Sequence, residues 1–116
     1  MENSTTKVYL GLGSNIGNRA KTIENAILNL AEKGFSTTRQ AGVYETPPWG
    51  VIEQPAFLNT VIEGEWIGGT LKLLSAILGV EADLGRERLE KWGPRVIDID
   101  MLSFGDAQIR MQRLTV

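Results

Sequence analysis

Hydrophobic and polar positions alternate along three stretches of the chain and recur at helical spacing along two others. Val8, Leu10 and Leu12 alternate with Tyr9 and Gly11, which predicts a strand over 7–13 with one partly buried face. Polar and glycine residues at 14–18 then supply a turn. Ile23, Ala26, Ile27, Leu30 and Ala31 recur at i, i+3, i+4, i+7 and i+8, the buried stripe of an amphipathic helix over 19–33. Gly34 stands where a left-handed residue can end that helix. Residues 36–45, rich in Thr, Val and Tyr, read as a second strand. Three of the four prolines fall within 45–56; they fix φ and remove backbone donors, so this stretch is a long irregular loop. Loops of that length in compact domains are usually functional or disordered. Residues 57–66 alternate as a third strand, Gly68 and Gly69 break it, and Thr70 is placed to cap a helix. Leu71, Leu74, Ile77 and Leu78 carry that helix on to about Leu84. A charged loop over 85–95 leads into a last alternating strand over 96–104. Gly105 and Asp106 then form a turn, and the last ten residues begin another hairpin arm.

Strand, helix, strand, strand, helix, strand is the order of a split β-α-β unit. It predicts a ferredoxin-like α+β core, βαββαβ, with helices packed on an antiparallel sheet. At 116 residues, with no internal repeat or linker, the chain is expected to be one domain over 1–116. It contains no cysteine and no histidine, which excludes a disulfide framework, thiolate zinc, a cysteine nucleophile and a Ser-His-Asp triad. Any metal must be a hard ion on oxygen ligands, and acid-base work must fall to carboxylates, lysine, tyrosine or the substrate. Twelve basic against fourteen acidic residues argue against a nucleic-acid partner. The polar start MENSTTK is no signal peptide, and no apolar run spans a bilayer, so no membrane partner and a cytoplasmic setting are expected.

The chemistry concentrates in the last strand. Asp98 and Asp100 share one face with Val96 and Leu102, about 6.6 Å apart along the strand, while Ile97, Ile99 and Met101 take the other. Two carboxylates in an apolar strand are costly unless cations neutralise them, and magnesium at a phosphate site meets that need. The plainer alternative is an edge strand with its aspartates in water. Just upstream, Arg86, Arg88, Lys91 and Arg95 place four cations within ten positions. A polyphosphate lying between this loop and the aspartates accounts for both charge runs, whereas a solvated loop paired with Glu87 and Glu90 accounts only for the first. Trp92 and Trp49 stand in loops and suit stacking on a flat ring or loop anchoring; Asn59 suits a heterocycle edge or a structural role. Gly11, Gly13 and Gly17 miss the dinucleotide fingerprint by one residue, with no P-loop lysine, and read as a strand-to-helix turn that needs small residues.

Taken together, KWGPRVIDIDML at 91–102 resembles the signature of the 6-hydroxymethyl-7,8-dihydropterin pyrophosphokinases of folate biosynthesis. LGLGSNIGNR resembles that family's N-terminal strand and turn. YETPPWG and QPAFLN resemble its pterin loops, LGRER its arginine loop, and RLTV the start of its nucleotide segment. The resemblance implies magnesium-dependent transfer of pyrophosphate from ATP to the pterin hydroxymethyl group, releasing AMP. It implies two magnesium ions on Asp98 and Asp100, with Arg86 and Arg95 holding the phosphates and Arg88 and Lys91 assisting. Glu81, Met101 (through its backbone), Arg113 and Thr115 would belong to the ATP site, together with Trp92. Phe57 and Trp92 would sandwich the pterin, with Asn59, Thr46 and the backbone from Pro47 to Trp49 at its edge. Glu81 also stands out by itself, as a carboxylate on the apolar face of Leu74, Ile77 and Leu78 that needs a partner. The family continues past RLTV with residues that complete both sites, so the chain reads as a domain truncated at its C-terminus. Two other readings stay open here: a non-catalytic ferredoxin-like interaction module, and a ferredoxin-like RNA binder. Oligomeric state is not legible.

Overall fold

The computed structural model describes residues 5–14, 18–46, 57–85, 97–105 and 107–111. Its elements are β1 (Thr6–Ser14), α1 (Arg19–Glu32), β2 (Ser36–Gln40), β3 (Tyr44–Thr46), β4 (Phe57–Trp66), α2 (Thr70–Gly85), β5 (Asp98–Phe104) and β6 (Ala107–Met111). All pairings are antiparallel, in the order β2-β4-β1-β5-β6, with β3 also on β4. The expected βαββαβ core is present, and β6 is the hairpin arm expected after Gly105, whose φ of 62° makes the turn.

Local sequence explains where α1 starts and stops. The Asn18 side chain accepts a hydrogen bond from the Lys21 N–H at 3.1 Å. At the other end Gly34 has φ 107°, and the Phe35 N–H reaches back to the Leu30 carbonyl at 2.9 Å. That turn drives the Phe35 ring into the core, where it is fully buried. At α2 the Leu73 N–H donates to the Gly69 carbonyl, so Gly69 holds the cap position and Thr70 is already helical, one residue from expectation.

Two expectations are corrected. The strand over 36–45 is two strands on one edge of β4: between Gln40↔Ile62 and Tyr44↔Asn59 it carries one residue more than its partner. The extra length is taken up at 41–43, where the Ala41 N–H bonds the Val61 carbonyl and the Thr60 hydroxyl bonds the Ala41 carbonyl. The second correction is the buried face of α2, which is Leu73, Ile77 and Val80; Leu71 and Leu78 are exposed and Leu74 half-buried. This helix is apolar nearly all round, so periodicity alone does not choose its inner face. In α1, likewise, Ile23, Ala26 and Leu30 are buried while Ala31 is exposed.

Both helices pack on one face of the sheet. Val8, Leu10, Leu12, Ile62, Trp66, Ile97, Ile99 and Met101 meet them there, and all are buried. Register places Lys7, Tyr9, Gly11 and Gly13 of β1 beside Glu65, Glu63, Val61 and Asn59 of β4 on the opposite, outer face. Among the described residues no helix covers that outer face.

Candidate active site

β5 alternates as its sequence requires. Ile97, Ile99 and Met101 are buried toward the helices, while Asp98 and Asp100 are half-exposed on the outer face and Leu102 beyond them is exposed. The two aspartates therefore share a side, with Gly13 directly opposite Asp98 and Gly11 opposite Asp100. β4 continues the same rows: Asn59 lies opposite Gly13, and Val61 opposite Gly11. β3 extends the first row, with Tyr44 beside Asn59, and Thr46 pairs with Phe57. One band across the sheet thus carries acidic groups on β5, bare backbone on β1, and an amide and an aromatic ring on β4.

The glycines are what bring the two sides together. An ideal Cβ on Gly13 would lie 2.8 Å from Asn59 Oδ1 and 3.7 Å from the Phe57 ring, so both side chains lean over β1 toward β5. The Asn59 amide also donates to the Phe57 carbonyl at 3.4 Å. Gly11 and Gly13 belong to β1, as the strand expected over 7–13 has it, and not to the turn after it, and at Gly13 the expected need for a small residue holds. No sequence signal could have assigned them this role, because it depends on which residues face them from β4 and β5.

Glu81 has a partner of another kind. Its Oε2 accepts the Ile99 N–H at 2.8 Å, from half-buried α2. Ile99 stands between the two aspartates, so the carboxylate takes the backbone amide of the residue that separates them. Glu81 thereby pins the strand that carries Asp98 and Asp100 to α2. Met101 points its side chain into the core and pairs with Leu10 and Met111 through its backbone positions.

Arg86, Arg88, Lys91, Trp92, Arg95, Arg113, Thr115, Pro47 and Trp49 lie outside the described residues. The site residues brought together within them are Asp98, Asp100, Asn59 and Phe57, with Thr46 next to Phe57 and Glu81 behind β5.

A second polar cluster, not anticipated from sequence, lies two rows along the same face. Glu63, nearly covered, accepts from the Tyr9 hydroxyl and the Lys7 ammonium, each at 3.2 Å, and faces Arg39 Nε at 3.6 Å. The Lys7 hydrogen bond holds the Glu63 carboxyl below the usual carboxylate range against the opposing effect of desolvation, and Glu63 in turn raises Lys7.

Comparisons with known proteins agree with this architecture. The family described as "7,8-dihydro-6-hydroxymethylpterin-pyrophosphokinase (HPPK)" matches residues 9–116. The 2-amino-4-hydroxy-6-hydroxymethyldihydropteridine pyrophosphokinase of Methylorubrum extorquens is 43% identical over 112 residues, covering 96% of this chain and 71% of the relative. That of Aquifex aeolicus is also 43% identical, over 94% of this chain and 68% of the relative. The mitochondrial folate synthesis bifunctional protein of Pisum sativum is 38% identical over 95% of this chain, which spans 21% of that protein. Among solved structures, Plasmodium falciparum HPPK-DHPS wild type with pterin and p-hydroxybenzoate superposes with a TM-score of 0.69 at 20% identity, over 93% of this chain and 29% of that one. That likeness shows the shared fold. With the match extending from β1 to Val116, the chain belongs to the 7,8-dihydro-6-hydroxymethylpterin-pyrophosphokinase family.

Proposed function

We propose that this chain transfers pyrophosphate from ATP to the hydroxymethyl group of 6-hydroxymethyl-7,8-dihydropterin, with AMP as the other product, in a magnesium-dependent step of folate biosynthesis. The observation that carries this reading is the band across the outer face, with two carboxylates on β5 and an amide and aromatic ring on β4 facing each other over the glycines of β1. A phosphate-bearing and a heterocyclic substrate can then meet on one surface.

The donor set fits magnesium. Asp98 and Asp100 are hard oxygen donors on one side, both accessible, and among the described residues no group of three or more acidic, His or Cys side chains forms a closed cage. Two carboxylates with remaining positions left to water and phosphate oxygens are what a magnesium-nucleotide site needs. Asp98 and Asp100 would hold two such ions, which when bound supply neutralisation of the polyphosphate charge.

The remaining work belongs to the chain. Phe57 and Trp92 stack on the pterin ring, and Asn59, Thr46 and the backbone of Pro47 to Trp49 bond its edge, aiming the hydroxymethyl oxygen at the β-phosphorus. Arg86 and Arg95, helped by Arg88 and Lys91, orient the phosphates and spread the charge that develops in transfer. Glu81, Met101, Arg113, Thr115 and Trp92 complete the ATP site, Glu81 by holding β5 in place. In-line attack of an alcohol on phosphorus needs positioning and charge neutralisation more than covalent help, so a chain without histidine can perform it. The loops must also exclude water, which competes as the acceptor.

The test is AMP release from ATP by this chain, with pterin and magnesium each supplied or withheld. AMP that forms only when both are present supports the reading. Calorimetric titration with a non-hydrolysable ATP analogue adds a binding readout. Affinity indifferent to magnesium and to Asp98→Ala overturns it.

A further inference from the structure

Gly13 stands in one row between Asp98 and Asn59. Its backbone is ordinary extended strand, since the positive-φ glycines are Gly34, Gly68 and Gly105. Conformation therefore does not call for glycine here; space does. The place a Cβ would take is filled by Asn59 Oδ1, 2.8 Å away, with the Phe57 ring behind it at 3.7 Å. Gly11, two residues earlier on the same face, is different: its Cβ would meet Leu102 methyl groups at 3.6 Å and 3.8 Å, ordinary contacts. The colliding group at Gly13 is the far end of a side chain and not backbone, so an added methyl would displace the amide and leave the strand intact.

We propose that Gly13 is a positioning residue for substrate recognition: its missing side chain lets the Asn59 amide lie across β1, at the height and angle from which it meets the edge of a flat heterocycle. This rests on the reading of Asn59 as a pterin-binding residue. Gly13 itself touches no substrate; it acts through Asn59. Selectivity for the acceptor substrate then depends on an absent methyl group on β1, the strand between the Asn59 amide on β4 and Asp98 on β5.

The experiment is a double-mutant cycle read by binding. Gly13→Ala is expected to weaken 6-hydroxymethyl-7,8-dihydropterin binding about tenfold, the size of one lost hydrogen bond to a ligand with its partner left unmatched. Affinity for a non-hydrolysable ATP analogue and the thermal midpoint stay near the parent values. In an Asn59→Ala background, Gly13→Ala adds no further loss. Full pterin affinity in Gly13→Ala, or the same tenfold loss without the amide, overturns the proposal. A second readout does not need the ligand: the Asn59 side-chain amide signals in a nitrogen-15 spectrum shift in Gly13→Ala and hold in Gly11→Ala, and unmoved signals in Gly13→Ala also overturn it. A parent protein that binds no pterin would instead defeat the functional reading, leaving the amide signals to decide the positioning role.

Discussion

The two faces of the sheet use glycine for opposite ends. On the helix side, a Cβ on Gly64 would run into the Phe35 ring and come within 2.7 Å of the Ser36 carbonyl oxygen. Phe35 is locked there by the turn that ends α1, so nothing nearby can yield. On the outer face, Gly13 is filled by the tip of Asn59, which can move. The inner glycine is therefore a condition of folding, and the outer one a condition of where a functional group sits. What separates them is the stiffness of the neighbour that occupies the empty space.

The largest expected effect tests the inner face. Gly64→Ala forces an aromatic ring and backbone apart and is expected to cost about 3 kcal/mol, at the upper end for overpacking, measured by denaturant unfolding. An unchanged midpoint would mean that Phe35 can repack and would erase the contrast. Asp98→Asn tests the outer face from the other direction. It is expected to lower turnover about 100-fold, in the range for losing one electrostatic stabiliser, with the thermal midpoint near the parent value because the substitution keeps the size of a half-exposed side chain on the outer face. A variant that unfolds and is inactive in equal measure would make the aspartates part of the scaffold.

Glu81→Ala links the faces, since its carboxylate reaches from α2 to the Ile99 amide between the aspartates. Its loss is expected to cost about 2 kcal/mol, as for a hydrogen bond to a charged acceptor, with faster hydrogen exchange at Ile99. The smallest effect is Glu63→Gln, read as a pH profile of stability. Glu63 is held below its ordinary range, so its contribution is complete above the unfolded-state value and fades as acid carries the pH through the lower folded value. Lys7 is raised, so its contribution holds below its unfolded-state value and fades as the pH rises through the higher folded one. The variant is expected to melt slightly below the parent at neutral pH and to converge with it in acid. Parallel curves down to the acid limit would remove Glu63 from the account.

Much of this was legible beforehand because it is local. Alternation over 57–66 marks β4 to the residue, the apolar stripe from Ile23 to Leu30 and Gly34 at its end mark α1, and Ile97, Ile99 and Met101 put Asp98 and Asp100 on one side of β5. The motif over 91–102 was specific enough to point to the family before any fold was in view. What was misread depends on neighbours distant in sequence. The uniformly apolar α2 gave no basis for choosing Leu73, Ile77 and Val80 over Leu71 and Leu78. The extra residue that splits β2 from β3 is visible only against the register of β4.

The order of amino acids by itself determined the elements, the side on which the two aspartates stand, and the chemistry they suit, because backbone sterics and side-chain period act within a few residues. Only the tertiary structure decided that Gly13 lies between Asp98 and Asn59, that Glu81 answers the Ile99 amide, and that Glu63 gathers Lys7, Tyr9 and Arg39. Those pairings are set by strand register and helix docking, which come from burying one shared core, and no short stretch of chain carries that information.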